Sequence, residues 1–140
     1  MADIIQARVI IPGAVTAEVV AAEEPLSFWG GYNQDTGEII DRRHSLSGQN
    51  AAGRILAVPF TRGSSTTTAV LLESVRAKTA PAAIITSTPD SFFALASIVA
   101  DELYQSPIPL LVISQEELFS LQSGDWLRIT PNGRIIHEYY

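Results

Sequence analysis

The run Arg62-Gly63-Ser64-Ser65-Thr66-Thr67-Thr68 joins a cation, a glycine and a set of hydroxyls. It lies where the apolar segment Ile55-Leu56-Ala57-Val58-Pro59 gives way to a helix-forming one. A helix amino end exposes unpaired N–H groups and about half a positive charge, so an anion is stabilised there. Gly63 lets a substrate approach the backbone closely, and Ser64 can present its hydroxyl at the carboxyl edge of a sheet, where open α/β sheets bind ligands. Arg62 can grip a carboxylate with two hydrogen bonds. The same cluster also suits a plain helix cap, and the residues alone leave both readings open. The glycine spacing and following Lys of a Walker loop are missing, as is the glycine after the serine of a nucleophile elbow.

A second group is Asp41-Arg42-Arg43-His44, preceded by Ser27-Phe28-Trp29-Gly30-Gly31. Asp41, Arg43 and His44 could orient a substrate or move a proton, since imidazole titrates near neutrality; a salt-bridged turn with His44 half exposed fits the same residues. Phe28-Trp29 suits a core or an interface. His137, beside Glu138-Tyr139-Tyr140, has no partner nearby in sequence and is assigned a structural role. With two His and no Cys, the sequence offers no metal site and no thiolates for an iron–sulfur cluster.

These residues sit in a chain of 140 residues carrying 15 acidic and 9 basic side chains, a net charge of -6. That charge opposes the footprint of a nucleic-acid binder. The length and the 46% hydrophobic content fit one domain, residues 1–140, able to fold without disulfides. The start lacks a basic segment followed by a long apolar run, and no stretch nears the ~20 apolar residues of a membrane span, so a cytoplasmic protein is expected.

The elements that must position the groups are legible in outline. Ala7–Ile11 and Ala17–Ala22 read as strands. Leu26–Gln49, punctuated by glycines, reads as a long ordered excursion with one strand, Glu38-Ile39-Ile40, inside it. Ile55–Pro59, Ala82–Thr86 and Leu110–Ile113 are apolar on both faces, the pattern of buried strands. Between them fall a helix over about Thr66–Arg76, with Ala69, Leu72 and Val75 inward and Val70 and Leu71 widening the stripe, and another over Ser91–Leu103, with Phe92, Leu95, Ala96 and Val99 inward. Ser114 and Glu117 form a capping box that starts a short helix. Pro131-Asn132-Gly133 turns a terminal hairpin between Asp125–Thr130 and Arg134–His137. The sum is a mixed α/β domain.

Several spaced motifs occur in one order: Leu26-Ser27-Phe28-Trp29-Gly30-Gly31, Asp35-x-Gly37-x-Ile39-Ile40-Asp41-Arg42-Arg43-His44-x-Leu46-x-Gly48-Gln49, Ala52-Gly53-Arg54, Arg62-Gly63-Ser64-Ser65 and Ala80-Pro81-Ala82-Ala83. Over about Leu26 to Ile85 the chain thereby resembles the small subunit, or swivelling domain, of the aconitase X family. The resemblance implies a swivelling β/β/α domain, a mixed sheet with flanking helices like the C-terminal domain of aconitase. It also implies a hydro-lyase whose cysteine-bearing large subunit carries an iron or iron–sulfur centre, which would explain why this chain has no Cys. In aconitase-like enzymes the first serine of a Gly-Ser-Ser turn is the base that removes the proton; Ser64 matches it. The arginine that follows in aconitase is replaced by Thr66, so Arg62 is the substitute for gripping the carboxylate, with Gly63, Ser65, Asp41, Arg43 and His44 as further substrate contacts.

Activities of the family include dehydration of cis-3-hydroxy-L-proline and of mevalonate 5-phosphate. The sparse Lys and Arg do not suggest a dedicated phosphate pocket, which favours the hydroxyproline. Two readings of other classes stand beside these: a free-standing domain that binds an anion at the same helix end, and a phosphohistidine carrier, for which the helix after His44 is missing.

Overall fold

Alternation of side chains across strands that are buried on both faces determines the architecture. The computed structural model describes residues 4–62 and 66–138. Its strands are β1 (Ile4–Gln6), β2 (Arg8–Ile11), β3 (Val15–Ala21), β4 (Ile55–Ala57), β5 (Ala83–Thr86), β6 (Leu110–Val112), β7 (Trp126–Ile129) and β8 (Arg134–Glu138). Its helices are α1 (Thr66–Ala77), α2 (Ser91–Tyr104) and α3 (Gln115–Ser120). The strands form one 8-stranded sheet in the order β1-β8-β7-β3-β4-β5-β6-β2. The two edge strands are consecutive in the chain with only Ala7 between them, so the sheet curls until its edges nearly meet. Strands β3 to β6 run parallel to one another, and the β7–β8 hairpin joins β3 antiparallel.

Residues on the inner side of the curl, among them Val19, Ile55, Ala57, Ile85, Leu111, Leu127 and Ile135, form one core with Leu118 and Leu121 around α3. Residues one position along, Val20, Leu56, Ile84 and Leu110, face outward into a second core with α1, α2 and the excursion. The period of two in Ile55-Leu56-Ala57 and Ala83-Ile84-Ile85 thus serves two layers at once. This is the mixed α/β arrangement expected from the sequence. The capping box at Ser114–Glu117 and the terminal hairpin are also present.

Three local expectations need correction. Glu38-Ile39-Ile40 is not a strand: Glu38 and Ile39 make only isolated bridges, to Asn50 and Tyr32, because the excursion folds on itself and not into the sheet. In α1 the buried stripe is Thr67, Thr68, Val70, Leu71 and Ser74, while Ala69 is exposed and Leu72 and Val75 are half-buried. In α2 it is Phe93, Ala96, Ser97 and Ala100, while Leu95 is 50% exposed and Phe92 and Val99 are half-buried. Small polar residues pack inward where they meet a neighbouring backbone, Thr68 of α1 against α2 and Ser97 of α2 against the segment before β6. Thr68 Oγ1 donates to the Phe92 carbonyl of α2 at 3.1 Å, and Ser97 Oγ donates to the Ile108 carbonyl at 2.7 Å.

The excursion is anchored by aromatics. Phe28 is fully buried, stacks on Tyr32 at 4.9 Å and meets Phe93 edge-on at 5.4 Å. Tyr32 donates its hydroxyl to the Thr79 carbonyl just past α1 at 2.7 Å, and burial pushes its phenol well above the usual value. Two glycines are required here. A Cβ at Gly31 would lie 2.0 Å from the Ser27 carbonyl oxygen, and Gly37 has φ +84 with the Ala52 side chain and the Thr79 carbonyl pressed against it.

Candidate functional site

The excursion and the segment after β4 meet at the carboxyl ends of the parallel strands. Leu26 and Thr61 form a parallel bridge, and Arg62 N–H donates to the Leu26 carbonyl at 3.0 Å. Asp90, just past β5, holds the same segment from the other side. Its Oδ2 accepts the Thr61 N–H at 2.8 Å, while Oδ1 accepts Phe92 and Phe93 N–H at 3.0 and 3.2 Å and so caps α2. The backbone leading to Arg62 is therefore fixed by β3, β5 and α2 together.

A cleft of about 290 Å³ opens at this junction, lined by Glu24, Pro25, Ser27, Asp41, Arg43, His44 and Arg62. The structure thus brings together Arg62, Asp41, Arg43 and His44, which are up to 21 residues apart in sequence. Gly63, Ser64 and Ser65 lie outside the described residues. Arg62 and Thr66, which bracket them, are described.

The side chains of the cleft differ in what they are free to do. Asp41 Oδ1 accepts the Arg43 N–H at 3.0 Å, closing a turn that sets the direction of the Arg43 side chain. His44 is buried, not half exposed, and both ring nitrogens are engaged: Nδ1 accepts the Leu46 N–H at 3.1 Å and Nε2 lies 3.2 Å from the Pro25 carbonyl. Those partners assign the proton to Nε2, which donates to Pro25. The Glu24 carboxylate is 3.7 Å from His44 Nδ1. Because that nitrogen's lone pair is already used, the approach is a contact of a carboxylate with a neutral ring. His44 therefore holds the two ends of the excursion together and is not placed to move a proton for a substrate.

Glu24 is the residue that sequence reasoning missed, because Glu23-Glu24-Pro25 reads as a turn. The signal was positional: Glu24 follows the carboxyl end of a parallel strand by three residues. Its Oε1 accepts the Ser45 N–H at 2.7 Å. The Ser45 amide and side chain, helped by the charge of Arg62, hold its carboxyl below the usual carboxylate value. It is an anion throughout the neutral range.

The aromatic pair of the excursion divides. Phe28 is core, whereas Trp29 is 71% exposed; Ile40 and Phe60, each adjacent or nearly so in sequence to a cleft residue, are exposed as well. His137 has a partner: its Nε2 is 3.1 Å from Asp125 Oδ2, across the base of the hairpin. Among the described residues no three His, Cys, Asp or Glu converge to hold a metal ion, and the chain has no cysteine, so the described residues do not fit an iron or iron–sulfur centre. No helix among the described residues is long and apolar enough to cross a membrane.

Comparison with known proteins matches residues 4–137 to the aconitase X swivel domain. A cis-3-hydroxy-L-proline dehydratase of Pseudomonas aeruginosa is 40% identical over 137 residues, covering 98% of this chain; the chain spans only 23% of that protein. A phosphomevalonate dehydratase small subunit of Methanopyrus kandleri is 34% identical over 122 residues, covering 86% of both chains. The crystal structure of Thermococcus kodakaraensis aconitase X (holo-form) superposes with a TM-score of 0.87 at 28% identity, covering 98% of this chain and 99% of that one. With nearly its whole length matched by one sequence family and by that family's fold, the chain belongs to the aconitase X family and is its swivel domain.

Proposed function

We propose that this chain, as a single swivelling domain over residues 1–140, is the small subunit of a cytoplasmic hydro-lyase that dehydrates cis-3-hydroxy-L-proline to pyrroline-2-carboxylate. The observation that carries the reading is the 40% identity to a dehydratase named for that substrate, extending over 98% of the chain. Mevalonate 5-phosphate is the runner-up, on 34% identity to a small subunit named for it. A free-standing anion-binding domain is disfavoured by both.

In this reading Ser64 is the base that removes the proton from the carbon bearing the carboxylate. The electron pair of the broken C–H bond forms the double bond, and the hydroxyl of the neighbouring carbon leaves, taking a proton to depart as water. Arg62 and Arg43 hold the substrate carboxylate, which places the acidic C–H and raises its acidity by stabilising the charge that develops. Gly63 and Ser65 flank the base, and Asp41 orients Arg43. A serine hydroxyl is a weak base, so its alkoxide needs the positive field of the α1 amino end and of Arg62. Support for this division of labour is that Arg62 lines the cleft two residues before Ser64.

The cleft is open on one side, and the exposed Trp29, Ile40 and Phe60 near it suit a surface that another protein covers. The partner is a cysteine-bearing large subunit, to which any iron or iron–sulfur centre belongs. Coexpression of the two chains, followed by anaerobic assay of both substrates, tests the reading. Water loss from cis-3-hydroxy-L-proline only when both chains are present supports it. Turnover of mevalonate 5-phosphate alone transfers the assignment to the runner-up.

A further inference from the structure

The cleft holds two carboxylates, Glu24 and Asp41, beside two guanidiniums, Arg43 and Arg62. A ligand with only anionic groups gains from the cations and is repelled by each carboxylate. A ligand with one ammonium and one carboxylate can use both signs. The two acids are not equivalent. Asp41 closes its own turn through the Arg43 N–H. Glu24 reaches in from the end of β3, and its carboxylate accepts the Ser45 N–H at 2.7 Å and a hydrogen bond from the Ser45 side chain. It is thus a fixed anion, and of the roughly four acceptor sites on a carboxylate Ser45 fills two.

We infer that Glu24 is a specificity residue: its carboxylate accepts the ring ammonium of a cyclic imino acid while Arg43 and Arg62 take that ligand's carboxylate. The inference rests on the proposed function and deepens it, because cis-3-hydroxy-L-proline carries a secondary ammonium at neutral pH and mevalonate 5-phosphate carries none. A site that accepts a hydrogen bond from a substrate N–H rejects an analogue lacking that group, since its own polar atom is left unpaired.

The test uses the assembled two-subunit enzyme, wild type and Glu24→Gln. Glutamine keeps an oxygen for the Ser45 N–H and so preserves the anchoring of the excursion, but removes the charge. Competitive inhibition is compared for L-proline and for cyclopentanecarboxylate, a ring of the same size without nitrogen. The wild type should favour L-proline by about tenfold or more, and Glu24→Gln should abolish that preference. The variant's KM for cis-3-hydroxy-L-proline should rise by a similar factor with kcat little changed, a split that a merely structural role would not give. An undiminished preference in Glu24→Gln, or none in the wild type, overturns the inference while leaving the dehydratase reading intact. A wild-type enzyme that does not dehydrate the hydroxyproline overturns both. If Glu24→Gln does not assemble, Glu24→Asp, which withdraws the charge by one methylene, must weaken the preference; an unchanged preference is equally fatal.

Discussion

The Asp90 carboxylate accepts the Thr61 N–H at 2.8 Å with one oxygen while its other oxygen caps helix α2. One side chain thereby couples the start of a core helix to the segment that carries Arg62. Asp90→Ala should destabilise the domain by about 1–2 kcal/mol through the lost cap, with a further ~1–3 kcal/mol from the Thr61 N–H left unpaired. Chemical denaturation measures the sum. In the assembled enzyme KM should rise even where the domain remains folded, because the cleft's backbone has lost its support.

Ser64→Ala should lower turnover of the assembled enzyme about a hundredfold or more, the usual cost of losing a general base. Steady-state kinetics with the large subunit present checks this. Nearly full turnover would remove Ser64 from the mechanism.

Glu24 has a lower pKa in the folded chain than it would have unfolded, the Ser45 amide being the main cause. Its anchoring therefore contributes stability above the ordinary carboxylate range, and that contribution is lost as pH falls through the lowered folded value. Denaturation midpoints taken from neutral pH into the acid range should fall less steeply for Glu24→Gln than for the wild type.

Phe28 ties the excursion to α2, being fully buried against Tyr32 and Phe93. Phe28→Ala should cost about 3–5 kcal/mol, the range for emptying a buried aromatic site. Urea denaturation reads the loss, and the tryptophan fluorescence of the neighbouring Trp29 should change as its backbone is released.

Gly31→Ala tests the tight fold of the excursion, since its added carbon would sit 2.0 Å from the Ser27 carbonyl oxygen. Backbone on both sides must move. The variant should have a lower melting temperature and, in the assembled enzyme, weaker substrate binding, because Ser27 and Asp41 on either side of this contact line the cleft.

Much of the molecule could be read from residue order. Buried strands announced themselves as apolar on both faces at Ile55–Pro59 and Ala82–Thr86, and the caps and turns at Ser114–Glu117 and Pro131-Asn132-Gly133 depend on bonds between residues a few positions apart. The spaced motifs around Asp41–His44 and Arg62–Ser65 identified the family, since their order is a property of sequence. Three-dimensional placement decided the rest. Which stripe of α1 and α2 turns inward depends on what each helix packs against over a curled sheet, so Ser74 and Ser97 are buried while Leu95 is not. Glu38–Ile40 has strand-like residues but no sheet edge within reach. Glu24 joined the cleft, and His44 withdrew into a pair of backbone hydrogen bonds, only when residues some twenty positions apart met. Such encounters are set by packing between distant segments, and no local pattern encodes them.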